Sequence, residues 1–211
     1  FQTNAGHTVL MPNGDKFVLQ QLPVAAVKPD VQLLINPGST ITVEKLLEEI
    51  ETHKAQHRLV IHPHATIVTE KCRQYEKENL NRISSTLKGC GAALGMKAMR
   101  HPDVVLAKDV PELKEWIGDT TVRLGEALAN GKMILVEGAQ GFDLSINHGW
   151  AYPYVTSRDV LTASIISNCG VSPRFMGDVY GSMRTFPIRV GNAYDKEGNK
   201  IGTSGPYYND Q

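Results

Sequence analysis

Met133-Ile134-Leu135-Val136-Glu137-Gly138-Ala139-Gln140-Gly141, with the run that follows to Tyr152-Pro153-Tyr154-Val155-Thr156-Ser157, is where the reading of this chain turns. Met133 to Val136 is short, apolar, partly β-branched and flanked by glycines, which predicts a buried strand. It runs into a loop of small residues. Such residues let a ligand approach the backbone, and they leave Gln140 as the one long polar side chain able to reach it. Thr156 and Ser157 supply two hydroxyls that can hold a phosphate. A plain strand and turn explains any one of these residues but not the whole run.

Outward from this stretch, strand and helix patterns alternate. Lys16 to Leu22 predicts a strand after the Pro12-Asn13-Gly14 turn. Val31 to Ile35 predicts another, closed by Asn36-Pro37-Gly38. Val43 to His53 has apolar residues at helical spacing, with Thr42 as N-cap and no capping box, since Lys45 stands where Glu is needed. Arg58 to Ile61 reads as a strand leading into His62-Pro63-His64. Glu70 to Arg82, of mixed charge, predicts an exposed helix. Pro111 to Asn130 reads as one helix, with Pro111 in its first turn and Gly131 beyond its end. Val160 to Asn168 reads as a helix, Val179 to Pro187 as a strand, and 192–205 as a polar hairpin or loop. The alternation predicts an α/β fold with a largely parallel central sheet and flanking helices.

Composition narrows the function classes. Twenty-two basic residues balance 22 acidic ones, so no basic field exists to hold a nucleic-acid polymer. A single nucleotide needs only a local anion site. Cys72, Cys90 and Cys169 are odd in number and widely spaced, which fits reduced thiols and a cytoplasmic location rather than zinc or disulfides. His62 and His64 lack a nearby Cys or acidic partner in sequence and read as strand-end packing. No apolar run is long enough to span a bilayer, so no membrane partner is expected.

Four segments resemble the adenylosuccinate synthetase family, in order and spacing along nearly the whole chain. They are Asn4-Ala5-Gly6-His7-Thr8; Ile83-Ser84-Ser85-Thr86-Leu87-Lys88-Gly89-Cys90-Gly91, with Arg100 beyond; the Gln140 run; and Phe186-Pro187-Ile188-Arg189-Val190-Gly191. The second segment departs from the family loop, with Ser84 and Leu87 in place of Gly and Ala92 in place of Pro.

The resemblance implies a P-loop-NTPase-like adenylosuccinate synthetase fold and a carbon–nitrogen ligase. That family joins L-aspartate to C6 of a 6-oxopurine monophosphate at the expense of a nucleoside triphosphate (GTP or ATP) with Mg2+. His7 and Gln140 are then expected to be catalytic. Asn4, Ser85, Thr86, Arg100, Leu144, Thr156, Arg189 and Val190 are expected to bind the nucleotide, along with Gln140. The Gly6 carbonyl is expected to meet the metal. Arg100 is expected to act in trans across a homodimer. The stretches Gly202 to Gln211, Thr156 to Asp159 and His62 to Thr66 look more like the phage branch, which makes 2-aminoadenylosuccinate from dGMP; the compact archaeal relatives use IMP.

The resemblance also implies that residues 1–211 form a single α/β domain that is incomplete at both ends. The triphosphate loop is expected before Phe1, and the aspartate- and guanine-binding segments after Gln211. An isolated piece of this kind is expected to be inactive, and a non-catalytic nucleotide-binding remnant is the alternative of another class.

Overall fold

The structure is a computed structural model and describes residues 2–183, 185 and 188–206. Phe186-Pro187 and the terminal Tyr207 to Gln211, both named above, lie outside the described residues.

The first half of the chain builds the core. Strands β1 (His7–Leu10) and β2 (Lys16–Leu19) pair antiparallel around a turn in which Gly14 takes φ +92°. Strand β3 (Leu33–Ile35) leads through β4 (Thr40–Ile41) and helix α1 (Val43–Thr52) to β5 (Leu59–Ile61), then to β6 (Thr66–Ile67). β3 pairs parallel with β5, and β4 with β6. The helix between β3 and β5 is the crossover that parallel pairing requires. The expected α/β organisation is present, carried by short two-stranded ladders.

Leu46 and Ile50 of α1 are buried at i, i+4 against Leu33, Ile35 and Ile61, so one apolar stripe closes the layer. Glu49, on the same face, is also buried. Its carboxylate accepts the main-chain N–H groups of Gln20, Gln21 and Leu22 at 2.7–3.0 Å, which fixes the exit of β2.

Helix α2 (Glu70–Asn79) is not the fully exposed helix its charge suggested, because Cys72 and Glu76 face inward. It packs on α3 (Cys90–Ala98). The helix expected over Pro111–Asn130 is broken. Pro111–Trp116 forms a tight 3-10 segment, and α4 starts only at Thr120 and ends at Ala129. Between them Ile117 bridges to Ile61 and the Gly118 N–H bonds to the Ile61 carbonyl, so the edge of β5 takes the chain. Asp119 then caps α4, accepting from the amides of Thr121 and Val122.

Two expected strands do not form among the described residues. Residues 133–136 form no regular element; among the described residues no ladder reaches them, and Met133 is 98% exposed and Leu135 74%. A strand exists only where a neighbour takes its backbone groups, and an apolar run alone cannot supply one. Val179 to Met183 is irregular and exposed for the same reason. Helix α5 (Thr162–Asn168) packs its Ile165 against Gly138, where a Cβ would stand 2.7 Å from the Ile165 side chain. The polar hairpin over 192–205 is present as β7 (Ala193–Tyr194) and β8 (Lys200–Gly202).

Candidate functional site

Four segments converge around residues 2–7. Gln2 is 1% exposed. Its amide nitrogen donates to Ser157 Oγ at 3.2 Å, and its oxygen accepts from Thr156 Oγ1 at 3.3 Å. Next to it, the Thr3 hydroxyl meets Cys90 Sγ and the Lys88 carbonyl. Residues 2 and 3 therefore stitch the Thr156-Ser157 pair to the start of α3, and Asn4 emerges between them. Gln140 Nε2 donates to Asn4 Oδ1 at 3.5 Å, a long bond that a ligand can replace.

The 137–141 loop carries two of the expected residues' supports. His7 Nδ1 lies 2.6 Å from Glu137 Oε1, and Glu137 Oε2 accepts the Val24 N–H at 2.9 Å. Gln140 sits in the left-handed region at φ +63°. Among the described non-glycine residues five have positive φ, and four of them, Ser84, Leu87, Arg100 and Gln140, fall within the sequence-predicted motifs. Such conformations cost about 1–2 kcal/mol each for L-residues and concentrate at functional loops.

In the 83–91 loop two of the departures from the family pattern fall at such positions. Ser84 at φ +47° and Leu87 at φ +53° adopt the left-handed turns that glycine would make more easily. Ser84 is held there by accepting the Ala193 N–H on its hydroxyl. Backbone N–H groups of a glycine-containing loop can wrap a phosphate. Three are instead engaged: the buried Glu76 carboxylate accepts from Gly89, Gly91 and Ala92 at 2.8, 2.7 and 3.2 Å. Ser85 and Thr86, both half-buried, and the exposed Lys88 lie in the same loop.

The excursion 142–160 presents the remaining groups. The Thr156 N–H donates to the Leu144 carbonyl at 2.7 Å, and Val160 N–H to the hydroxyl of the buried Ser145. Asp159, which had no role in the sequence, grips Asn147 through both its main-chain N–H and its side-chain amide. Leu144 and Thr156 are thereby neighbours. Arg189 donates to the Ile83 carbonyl and lies 5.8 Å over the Tyr154 ring, so it ties the 83–91 loop to the same excursion; Val190 follows it, half-buried.

Two expected residues stand apart. Arg100 is exposed beyond the C-terminal end of α3, at φ +56°, and no bond brings it to the other groups. Gly6 is exposed with open space around it. Among the described residues no three His, Cys, Asp or Glu side chains group as a metal site. Magnesium keeps several waters and is usually held by one or two carboxylates together with substrate phosphates, so the Gly6 carbonyl by itself would be one ligand of a larger set.

Sequence reasoning missed Gln2, Glu76 and Glu137, whose partners lie far away in the chain. It also missed Arg158, which lines the pocket beside Gln140 with Asn36 and Asn168. Burial pushes the Arg158 guanidinium and the nearby Lys97 ammonium down, and Arg158 donates to the Gly38 carbonyl. His62, packed at the end of β5, is pushed down first by burial and then by His64.

The family model for adenylosuccinate synthetase matches residues 2–107 and 103–198. The N6-succino-2-amino-2'-deoxyadenylate synthase of Acinetobacter phage SH-Ab 15497 is 35% identical, the match covering 100% of this chain and 62% of the relative. The adenylosuccinate synthetase of Archaeoglobus fulgidus is 38% identical over 89% of this chain and 56% of its own length. The chain thus spans about three-fifths of the relatives it matches. Among solved structures, the cyanophage S-2L succinoaminodeoxyadenylate synthetase bound to dGMP and dATP superposes with a TM-score of 0.80 at 36% identity, over 99% of this chain and 60% of that one.

Proposed function

We propose, from the premise that this chain belongs to the adenylosuccinate synthetase family, that the protein it comes from links L-aspartate to C6 of dGMP, using a nucleoside triphosphate. The observation that carries this reading is the junction of Asn4, Gln140 and Thr156, with His7 on the same loop support. Residues 1–211 would be one α/β unit of that larger protein.

In this reading the 5′-phosphate is held by Asn4, Ser85, Thr86 and Thr156. The base packs on Leu144, and the ribose lies beside Arg189 and Val190. Gln140 holds the purine edge so that O6 faces the triphosphate. O6 takes the γ-phosphoryl group, and the aspartate amine then displaces that phosphate from C6. His7 stabilises charge on the departing diphosphate. Positioning and fixed dipoles supply most of the acceleration in such transfers. Bound magnesium, met by the Gly6 carbonyl, would neutralise triphosphate charge. Arg100, exposed and remote from its own site, would serve the phosphate of a second subunit in a homodimer. No helix among the described residues is long and apolar enough to cross a membrane, and a cytoplasmic setting fits a reaction of small soluble metabolites.

The preference for dGMP rests on the phage relatives, whose match runs the full length of the chain. The archaeal relative, with its slightly higher identity, favours IMP with GTP as the second reading. The deciding measurement is mass spectrometry of the full-length protein with aspartate, magnesium and ATP or GTP, on dGMP and on IMP. A succinyl adduct of dGMP supports the first reading and one of IMP alone the second. Selective nucleotide binding without an adduct of either would leave a non-catalytic nucleotide-binding protein.

A further inference from the structure

His7 and Glu137 are 130 positions apart in the chain yet form a close pair, 2.6 Å between Nδ1 and Oε1. Both side chains are largely shielded, at 9% and 19% exposure. A carboxylate only accepts, so the bond requires the hydrogen of the imidazole to sit on Nδ1. The other carboxylate oxygen is committed as well, to the Val24 N–H at 2.9 Å. With one oxygen anchored to the main chain, the carboxylate cannot turn away from the ring.

We infer that Glu137 is the positioning residue of His7: it holds the ring in its Nδ1–H form and so assigns Nε2 to the phosphate chemistry. The pairing follows the general logic by which a carboxylate behind an imidazole sets its tautomer and orientation. It has a second consequence. Gln140 lies three residues beyond Glu137, in the same loop, at φ +63°. The groups proposed for the two ends of the phosphoryl transfer, Gln140 at O6 and His7 at the diphosphate, are therefore placed by one short loop. Its Gly138 lies flat against Ile165 of α5. A shift of that loop moves both groups together.

This inference rests on the role proposed for His7, so its test has an arm that does not depend on activity. The full-length protein, with nitrogen-15 in its histidines, is compared with Glu137→Ala and Glu137→Leu by NMR at pH ~9, where imidazoles are neutral. The wild type should display His7 as the Nδ1–H tautomer. Glu137→Ala should release it to the Nε2–H form that dominates in free imidazoles. Glu137→Leu, of similar size but with no acceptor for Nδ1–H, should release the ring in the same way, and it stands in if the Ala variant does not fold. In kinetics, Glu137→Ala should lower kcat about 10–100-fold, with KM for the monophosphate within about twofold. Adding it to His7→Ala should cost nothing further, because a positioning residue has nothing left to position. Persistence of the Nδ1–H tautomer in Glu137→Ala would overturn the inference. So would a double variant whose losses multiply. If His7→Ala itself retains full kcat, the proposed role of His7 fails, and the tautomer spectrum alone decides the pair.

Discussion

Replacing Glu76 should unfold the 83–91 loop before it touches anything chemical. The side chain is 2% exposed and accepts three main-chain N–H groups, from Gly89 on one oxygen and from Gly91 and Ala92 on the other. Each is a charge-assisted bond at the first turn of α3, where the helix's own amides have no partner. A hydrogen bond to a charged group contributes about 1.5–3 kcal/mol, and a buried donor left unpaired costs about 1–3 kcal/mol. The three share one acceptor group and do not add, so Glu76→Ala should cost roughly 3–5 kcal/mol. Glu76→Gln separates the causes. Its amide oxygen can serve Gly91 and Ala92, but its NH2 then faces the Gly89 N–H, donor to donor, for a loss of about 2–3 kcal/mol. Urea unfolding of the three proteins at pH 7 reads these differences as shifts in midpoint at constant slope. Losses below about 1 kcal/mol for both variants would refute the assignment of Glu76 as the loop's internal anion. Loss of monophosphate binding at unchanged stability would refute it too, since Glu76 would then be meeting the ligand.

Other outcomes follow from the same geometry. The amides of Val122 and Thr121 hold the Asp119 carboxyl below its ordinary range, so its contribution is complete above the unfolded pKa of about 3.9 and fades as pH falls through the lower folded value; Asp119→Asn should flatten that acid limb in a pH series of thermal melts. Lys54 follows α1 at φ +49° in a position that suits glycine, so Lys54→Gly should raise stability by about 0.5–1 kcal/mol, and an unchanged melting midpoint would contradict the strain. Arg100→Leu should weaken dGMP binding without unfolding, and mixing it with His7→Ala should restore activity in exchanged dimers; no recovery, with exchange verified, would return Arg100 to the role of a helix-end cation.

Local signals in the sequence located most elements of the first half. The Pro12-Asn13-Gly14 turn and the 43, 46, 47, 50 spacing read correctly because turn chemistry and helical periodicity act over a few residues. The reading failed where an outcome depends on a partner. Pro111 to Asn130 has helical composition throughout, but the edge of β5 captures Ile117 and Gly118 and breaks it. Met133 to Val136 has strand composition, yet no neighbouring strand pairs with it among the described residues.

The candidate site divides along the same line. Sequence alone nominated Asn4, His7, Thr86, Gln140 and Thr156 as candidates, because they sit in short motifs whose order is itself the signal. The tertiary structure alone decided how they are held. Glu137 on His7, Glu76 on the amides of the 83–91 loop and of α3, and Gln2 on Thr156 join positions from 13 to more than 150 residues apart. Nothing in a glutamate's neighbours along the chain says which distant donor it will meet. Burial decides it: a carboxylate taken out of water must find every hydrogen bond it can, and only the packed fold sets which N–H groups are within reach.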